Sequence, residues 1–418
     1  MNTKTRLTIL SFFQFYVWGA WLITIGTYFF GNNMGSGTQF GAIFSTLAIA
    51  SIIMPALTGI IADKWINAER LYGILQIGYG AVLFYVPQVH DADTLYYVIL
   101  VAMIFYMPTI SLSNSISYTI LSREGYDVVK VFPPIRVWGT IGFIAAMWTT
   151  NLSGSKGTST QFLIAAVAAI ALGIYAFTVP KCPPPKSIKK NASIIEQLGL
   201  NAFTLFSKYK MATFFIFSMF LGAALQLTNM YGDVFLSEFA SNPAYGPESF
   251  VVKRSTIIMS ISQISETAFI LAIPFFLRRF GIKMVMFFSM VAWVLRFGLF
   301  AYGNPADGLW MIILSCIIYG MAFDFFNISG SLFIETTTDH TIRSSAQGLF
   351  MMMTNGLGAF LGAKVSGYVI DKYFIHDGIK DWHSIWLYFA AYAAVIAMLF
   401  LVFFRHKHDP AAVATVKH

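Results

Sequence analysis

Charged side chains occur inside stretches that are otherwise apolar enough for the interior of a lipid bilayer. Asp324 lies in the middle of IIYGMAFDFFNISGSLFIE, from Ile317 to Glu335, and Glu266 and Arg136 are set in similar surroundings. An ionised acid at the bilayer centre costs about 2.5 to 3.5 kcal/mol, so each such residue requires a partner, a water-filled cavity or a proton. These residues predict proton or ion chemistry. The alternatives are buried ion pairs that only hold helices together and, for Arg136, a side chain that reaches the membrane surface.

Polar side chains recur at the spacing of one helical face, three or four residues apart. The pairs are Gln226 with Asn229, Gln263 with Glu266, and Arg136 with Thr140. Aromatic side chains follow the same spacing, with Phe143 after Thr140 and Tyr319 before Phe323. A cavity lined in this way offers amides and carboxylates to hydroxyl groups and aromatic faces to a flat ring. The alternative is that the amides only tie helices together, each contributing about 0.6 kcal/mol.

The composition describes an integral membrane protein. Of the 418 residues, 57% are hydrophobic and 11% are charged, and the mean hydropathy is +0.67. A window of about 20 apolar residues, the length that crosses the hydrocarbon core, predicts an all-α membrane fold of twelve transmembrane helices. Their starts lie near Leu7, Phe40, Leu71, Leu95, Pro134, Gln161, Met211, Arg254, Met284, Gly308, Ser344 and Ile385. The first helix ends near Phe30 and is too long for a removable signal peptide.

Lysine and arginine are concentrated in every second predicted loop and in both tails. Because positive residues near helix ends are retained in the cytoplasm, this pattern predicts cytoplasmic N- and C-termini. The net charge of +8 then reflects topology and contact with anionic lipid headgroups, and a nucleic-acid partner is not expected. The two cysteines, Cys182 and Cys316, do not indicate a disulfide framework.

A polar segment separates two groups of six predicted helices. It is PKCPPPKSIKKNASIIEQLGLNAFTLFSKYK, which is rich in lysine and proline. We expect an N-terminal half at residues 1–180, a cytoplasmic linker at 181–210, and a C-terminal half at 211–418 with a short cytoplasmic tail.

Weak internal similarity indicates that the two halves are related. Proline precedes lysine by nine residues at Pro55 and Lys64 and again at Pro274 and Lys283. The sequence Ile-Arg also opens the fifth predicted helix of each half, at Ile135 and Ile342. Two related halves of this kind are typical of transporters that rock around a central site.

The stretch GIIADKW contains Gly59, Asp63 and Lys64, which match the G-x-x-x-D-[RK] loop of the major facilitator superfamily. In that superfamily the small residue lets helices approach, and the acid and base latch one conformation. Further stretches over nearly the whole chain resemble the bacterial nucleoside:proton symporters, the family of nucleoside and xanthosine permeases. They are SFFQFYVWGAWL, MPALTGIIADKW, FPPIRVWGTIGFI, FFIFSMFLGAALQLTN, SISQISE, YGMAFDFFNISGS and RSSAQGLFMMMTNG.

This resemblance implies a major facilitator fold and proton-coupled import of a nucleoside by alternating access in the cell inner membrane. In the resembling family, residues that match Gln226, Asn229, Gln263 and Glu266 contact the nucleoside. The site is completed by the residues that match Arg136, Thr140, Phe143, Tyr319 and Phe323. The position of Asp324 is implicated in proton coupling. The implied partners are a nucleoside, a proton and membrane lipid, without a cofactor, and a monomer is expected.

The energy source follows partly by exclusion. The sequence has no G-x-x-x-x-G-K-[ST] loop, so transport runs on a gradient or downhill. All seven histidines fall in predicted loops or tails, so a buried carboxyl group is the available proton carrier inside the membrane. Asp324, among neighbouring phenylalanines, is the first candidate and Glu266 the second. Arg136 is the expected partner that helps to expel the proton.

The sequence bears on three alternative classes of protein: a channel, a membrane-embedded enzyme and a different kind of carrier. A channel needs neither the latch nor two related halves. A membrane-embedded enzyme needs a clustered nucleophile and base or metal ligands, and the sequence contains neither H-E-x-x-H nor G-x-S-x-G nor a Cys/His cluster. An enzyme and a metal site are therefore not expected. A facilitative nucleoside uniporter, or a carrier of another polar solute such as a sugar, remains an open alternative.

Overall fold

The computed structural model of the chain describes residues 2–184, 200–339 and 342–406. The chain divides into two compact units, Met1–Gln197 and Leu198–His418. Part of the predicted linker at 181–210 lies outside the described residues, and the second described range begins with a 3₁₀ helix at Leu200–Ser207. The domain bounds given above stay predictions.

In the N-terminal unit, apolar helices are connected by short turns. They are α1 (Thr3–Gly19), α2 (Ile25–Gly31), α3 (Gly37–Lys64), α4 (Ala68–Leu83), α5 (Ala92–Arg123), α6 (Val128–Leu152) and α7 (Thr160–Ala176). The helices α1 and α2 together make up the first predicted span. A reciprocal cap fixes the start of α3: the Ser36 hydroxyl accepts from the Gln39 backbone N–H at 3.3 Å, and the Gln39 side chain accepts from the Ser36 backbone N–H at 3.0 Å.

The C-terminal unit contains the remaining helices. They are α8 (Tyr209–Glu238), α9 (Phe250–Lys253), α10 (Ser255–Tyr302), α11 (Leu309–Thr337), α12 (Arg343–Met351), a π-helical segment (Met352–Gly358), α13 (Ala359–Tyr373) and α14 (Trp382–Phe403). A small antiparallel pair, β1 (Ile375–His376) and β2 (Ile379–Lys380), precedes α14.

The longest helix, α10, contains two membrane spans. As one straight helix its 48 residues would extend over about 72 Å at 1.5 Å per residue, more than twice the thickness of the hydrocarbon core. The two spans are separated at Gly281, where φ is 74° and ψ is 170°. Glycine adopts this backbone conformation without the penalty that a Cβ imposes.

The twelve predicted spans are all present, and the all-α membrane fold is confirmed. Among the described residues, seven helices are long and apolar enough to cross a membrane on their own.

Two predicted details are wrong. Helix α6 begins at Val128, before the predicted start near Pro134, because Pro133 and Pro134 are accommodated inside the helix. His383 lies in the first turn of α14, where its Nδ1 is 2.8 Å from the Ala301 carbonyl oxygen.

A buried polar network joins α1, α4 and α5. Gln14 Oε1 accepts hydrogen bonds from the Tyr72 hydroxyl at 2.5 Å and from Gln76 Nε2 at 2.9 Å. Gln14 Nε2 donates to the Thr109 hydroxyl at 2.9 Å, and the Tyr106 hydroxyl donates to the Gln14 carbonyl at 2.8 Å. All five residues are fully buried. Because these bonds fix the rotation of α1, they also fix the face that α1 presents to α6.

Candidate functional site

In the C-terminal unit, α10 and α11 cross closely at Ser265 and Gly320. The Gly320 backbone N–H donates to the Ser265 hydroxyl at 3.1 Å, and that hydroxyl lies 3.3 Å from the Cys316 carbonyl oxygen. A Cβ built on Gly320 would lie 2.6 Å from the backbone of Ser265. Only glycine permits this approach, which places Glu266 of α10 near Asp324 of α11.

The two acids of this crossing differ in their exposure. Asp324 is only 4% exposed, and its Oδ2 atom has no hydrogen-bond partner among the described residues, whereas Glu266 is half-buried. The two carboxyl groups interact electrostatically. If both are ionised they repel each other, and the repulsion is relieved when one of them binds a proton. The arrangement is therefore suited to binding and releasing a proton.

Aromatic side chains extend from this crossing along one face of α11. The rings of Tyr319 and Phe323 are stacked, with centroids 5.9 Å apart and an interplanar angle of 8°. Trp293 contacts Tyr319 edge-on at 6.0 Å. Gln263 lies within side-chain hydrogen-bonding reach of the Tyr319 hydroxyl. The structure thus brings Gln263, Tyr319 and Phe323 together with the two acids, as the helical spacing predicts.

A small cleft adjoins this aromatic face. Its lining includes Phe323, Trp293 and Asn327. The π-helical segment contributes Thr354 and Asn355 to the same lining. Short π-helical segments occur frequently at functional sites. The cleft combines aromatic surface with hydroxyl and amide groups.

The other two predicted residues of this unit, Gln226 and Asn229, lie on α8. Gln226 is 7% exposed and Asn229 is half-buried. In the described part of the chain, no hydrogen bond joins either amide to α10 or α11. Leu225, next to Gln226, lines the cleft. Their contribution to a binding site stays a prediction.

In the N-terminal unit, the predicted residues Arg136, Thr140 and Phe143 lie on α6, which packs closely against α1. A Cβ on Gly142 would lie 2.0 Å from the Phe12 carbonyl oxygen. The Arg136 guanidinium lies 4.0 Å from the centre of the Phe15 ring, a cation–π contact. This half-buried arginine is in the third turn of α6 and not at its first residue.

Phe143 is 8% exposed, and its ring meets Trp18 edge-on at 6.3 Å and 86°. Thr140 is half-buried one turn away. The N-terminal unit therefore presents a cation, a hydroxyl and an aromatic ring along one face of α6. The predicted residues are distributed over the two units, and their joint participation in one site stays a prediction.

The predicted latch residues lie at the C-terminal end of α3. Asp63 and Lys64 are exposed. Apart from the neighbouring backbone of α3 itself, no atom of the described N-terminal unit lies within 4 Å of a Cβ built on Gly59. Close helix approach at Gly59 is thus not present within this unit, and the latch stays a prediction about a change of conformation.

Two buried charged residues of this unit are not among the site candidates of the sequence analysis. Arg296 is fully buried. Asp233 was not identified. It is also fully buried, and its Oδ1 accepts hydrogen bonds from the hydroxyls of Ser255 at 2.6 Å and Thr256 at 2.9 Å. Both lie in apolar stretches, the same signal that identified Asp324.

Comparison with known proteins identifies the family of this chain. The sequence profile of the family described as "Nucleoside H+ symporter" matches residues 1–409. The chain belongs to the nucleoside H+ symporter family. It is 50% identical to the xanthosine permease of Escherichia coli (strain K12) over 411 residues, which cover 98% of each chain. It is also 50% identical to the nucleoside permease NupG of the same organism over 421 residues, which cover 100% of each chain.

A solved structure agrees with the family assignment. The crystal structure of the nucleoside transporter NupG superposes with a TM-score of 0.91 at 51% identity, covering 97% of this chain and 100% of that one. The predicted major facilitator fold is therefore confirmed. As a member of the nucleoside H+ symporter family, the chain is a multi-pass membrane transporter and not an enzyme.

Proposed function

We propose that this chain imports nucleosides together with protons by alternating access. The observation that carries the proposal is the carboxyl pair of half-buried Glu266 and buried Asp324 beside the stacked rings of Tyr319 and Phe323, in a chain of the nucleoside H+ symporter family. A nucleoside has a planar base that stacks on an aromatic ring and ribose hydroxyls that require buried polar partners. The printed names of the two permease relatives support the same class of substrate.

In this proposal the polar side chains bind the ribose and the edges of the base. They are Gln226, Asn229, Gln263 and Glu266 from the C-terminal unit and Arg136 and Thr140 from the N-terminal unit. Phe143, Tyr319 and Phe323 supply aromatic surface for the base. Asp324 carries the proton, with Glu266 as the neighbouring acid and Arg136 as the cation that favours proton release.

The proposed orientation in the membrane follows from the distribution of lysine and arginine along the chain. The protein lies in the cell inner membrane as a monomer, with the linker at 181–210 and both termini in the cytoplasm. The exposed pair Asp63 and Lys64 closes against other cytoplasmic loops when Gly59 allows helices to approach. These statements rest on the residue pattern and on the family.

The proposed function is tested with purified protein in proteoliposomes. We expect labelled uridine to accumulate when the outside is acidic and the inside alkaline, and a protonophore to abolish the accumulation. A panel of nucleosides, free bases and ribose then competes with labelled uridine. Nucleosides should compete far better than ribose or free bases. Strong competition by sugars alone would support a sugar carrier, and uptake that is insensitive to the protonophore would support a uniporter.

Glu266→Gln is expected to weaken uridine binding by about tenfold or more, and Gln226→Ala by a smaller factor. A hydrogen bond to a charged group contributes about 1.5 to 3 kcal/mol, and the amide lacks that charge. Both side chains face a hydrated cavity in the proposal, so the variants should insert and fold. Affinity is measured by calorimetry on the purified variants.

The control for Glu266→Gln is Glu248→Gln. Glu248 is an exposed acid of the same unit that pairs with Lys253, outside the proposed site. Its replacement should leave the uridine affinity unchanged. Wild-type affinity in both Glu266→Gln and Gln226→Ala would remove these residues from the binding site.

A further inference from the structure

Arg296 joins four membrane spans in the core of the C-terminal unit. It lies in the second half of α10 and is fully buried. Its Nη1 atom donates to the Ser315 carbonyl at 2.7 Å and lies 3.4 Å from the Ser262 hydroxyl, while Nε lies 3.3 Å from the Thr228 hydroxyl. The Ser315 hydroxyl donates back to the Arg296 carbonyl at 2.9 Å. The guanidinium is thus held in one fixed position.

All of these hydrogen-bond acceptors are neutral. No described carboxylate lies within ion-pair distance of Arg296, and its Nη2 atom has no hydrogen-bond partner among the described residues. An arginine at the centre of a membrane costs about 2.5 to 3.5 kcal/mol even on the most permissive scales. Hydrogen bonds to hydroxyls and carbonyls do not cancel its charge. A countercharge is therefore required slightly farther away.

Tyr319 connects this cation to the carboxyl pair. The guanidinium lies 4.7 Å from the centre of the Tyr319 ring and 5.1 Å from that of Phe300. Tyr319 is 4% exposed and interacts electrostatically with Arg296, Glu266 and Asp324. The ring is therefore the common neighbour of one permanent positive charge and two titratable acids.

The helices packed around Arg296 carry further titratable groups. They are Tyr231 and Asp233 on α8, Glu266 in the first half of α10, Cys316, Tyr319 and Asp324 on α11, and His383, Tyr388 and Tyr392 on α14. Asp233 is already held by Ser255 and Thr256. His383 and Tyr388 are exposed. Glu266 and Asp324 are the acids that share a common neighbour, Tyr319, with the arginine.

We propose that Arg296 is the fixed countercharge of the Glu266–Asp324 pair and sets the proton occupancy of this pair through Tyr319. The inference rests on the proposed function and deepens it. With one proton on the two carboxyl groups, the pair has a charge of −1, which balances the +1 charge of Arg296. The pair therefore gains and loses a single proton per cycle, taken from the outside and released inside. Arg296 is a positioning residue, because it contacts Tyr319 and does not contact the substrate.

The decisive measurement is the thermal stability of the wild type, Arg296→Gln and Arg296→Lys between pH 5 and pH 8. Without the cation, the carboxyl pair has no uncompensated charge only when both acids are protonated. Such protons are bound in the folded state and not in the unfolded state, so stability is lost as the pH rises. We expect the Tm of Arg296→Gln to fall more steeply with pH than that of the wild type. Arg296→Lys, which keeps the charge, should follow the wild-type slope.

A double variant separates this electrostatic role from a purely structural one. Arg296→Gln combined with Asp324→Asn removes one charge of each sign, so it should restore the wild-type slope and improve recovery of folded protein. The hydrogen bonds to Thr228, Ser262 and Ser315 are not restored by this second change. An equal loss of Tm at every pH, or a double variant as poorly recovered as the single one, would overturn the proposal.

The pH dependence of uridine binding gives an independent readout. In Arg296→Gln, the pH midpoint of uridine binding should move up by about one pH unit, a tenfold change in proton affinity. The stability profiles do not depend on a substrate, so they test Arg296 even when the substrate class is wrong. Failure of the wild type to bind any nucleoside would reject the proposed function alone. An unchanged midpoint in a folded Arg296→Gln variant would reject the role of Arg296.

Discussion

Asp324→Asn is expected to abolish accumulation of uridine against a gradient while uridine exchange continues. The amide has nearly the shape of the carboxyl group, so packing between Phe323 and Phe325 is retained, but it cannot bind and release a proton. In a symporter the protonated, substrate-loaded carrier crosses between the two conformations, and a permanently neutral side chain permits that crossing at any pH. Asp324 is suited to this role because it is buried and its Oδ2 atom has no hydrogen-bond partner among the described residues.

The measurement is paired. Counterflow and acid-driven uphill uptake are compared in proteoliposomes for the wild type and Asp324→Asn. The matched control is Asp233→Asn, since Asp233 is a second fully buried aspartate of the same unit whose Oδ1 accepts two hydroxyl hydrogen bonds. It should retain accumulation. Full accumulation by Asp324→Asn would show that the proton is carried elsewhere, with Glu266 as the next candidate.

The spans could be predicted from sequence because a bilayer imposes a length and a composition on each helix. The break in α10 shows where this reasoning ends. Hydropathy separates a span beginning near Arg254 from one beginning near Met284, but it does not indicate that the backbone turns at a single residue. Gly281 achieves the turn with a positive φ, and no loop is needed.

The site residues that could be predicted from the sequence are those whose place in an apolar stretch has a free-energy cost that only a function explains. Asp324 and Glu266 stand out because an acid in an apolar stretch requires a partner, a water-filled cavity or a proton. Helical spacing then selects Gln263, Tyr319 and Phe323. Arg296 carries the same signal, but its meaning depends on which helices surround it. Its partners Thr228, Ser262 and Ser315 are far apart in sequence. No pattern within one helix indicates that they meet at one guanidinium.

The crossing of α10 and α11 gives the other large expected effect. Gly320→Ala should abolish uridine transport and strongly lower the yield of folded protein. The added Cβ would lie 2.6 Å from the carbon and oxygen atoms of the Ser265 backbone and 2.7 Å from the Glu266 nitrogen. Backbone atoms cannot rotate away as a side chain does, so the helices must separate. Because Glu266 and Asp324 lie at this crossing, their separation also disrupts the carboxyl pair.

Gly298→Ala is the matched control for this change. Gly298 lies in the second half of α10, and a Cβ built there meets no atom within 4 Å other than the neighbouring backbone of its own helix. Since alanine is favoured over glycine in a helix interior by about 1 kcal/mol, this variant should fold and transport like the wild type or better. Yield, Tm and uridine uptake are compared for both variants. Normal uptake by Gly320→Ala would mean that the close crossing at Ser265 is not required to hold Glu266 and Asp324 together, and the proton site would have to be sought on one helix alone.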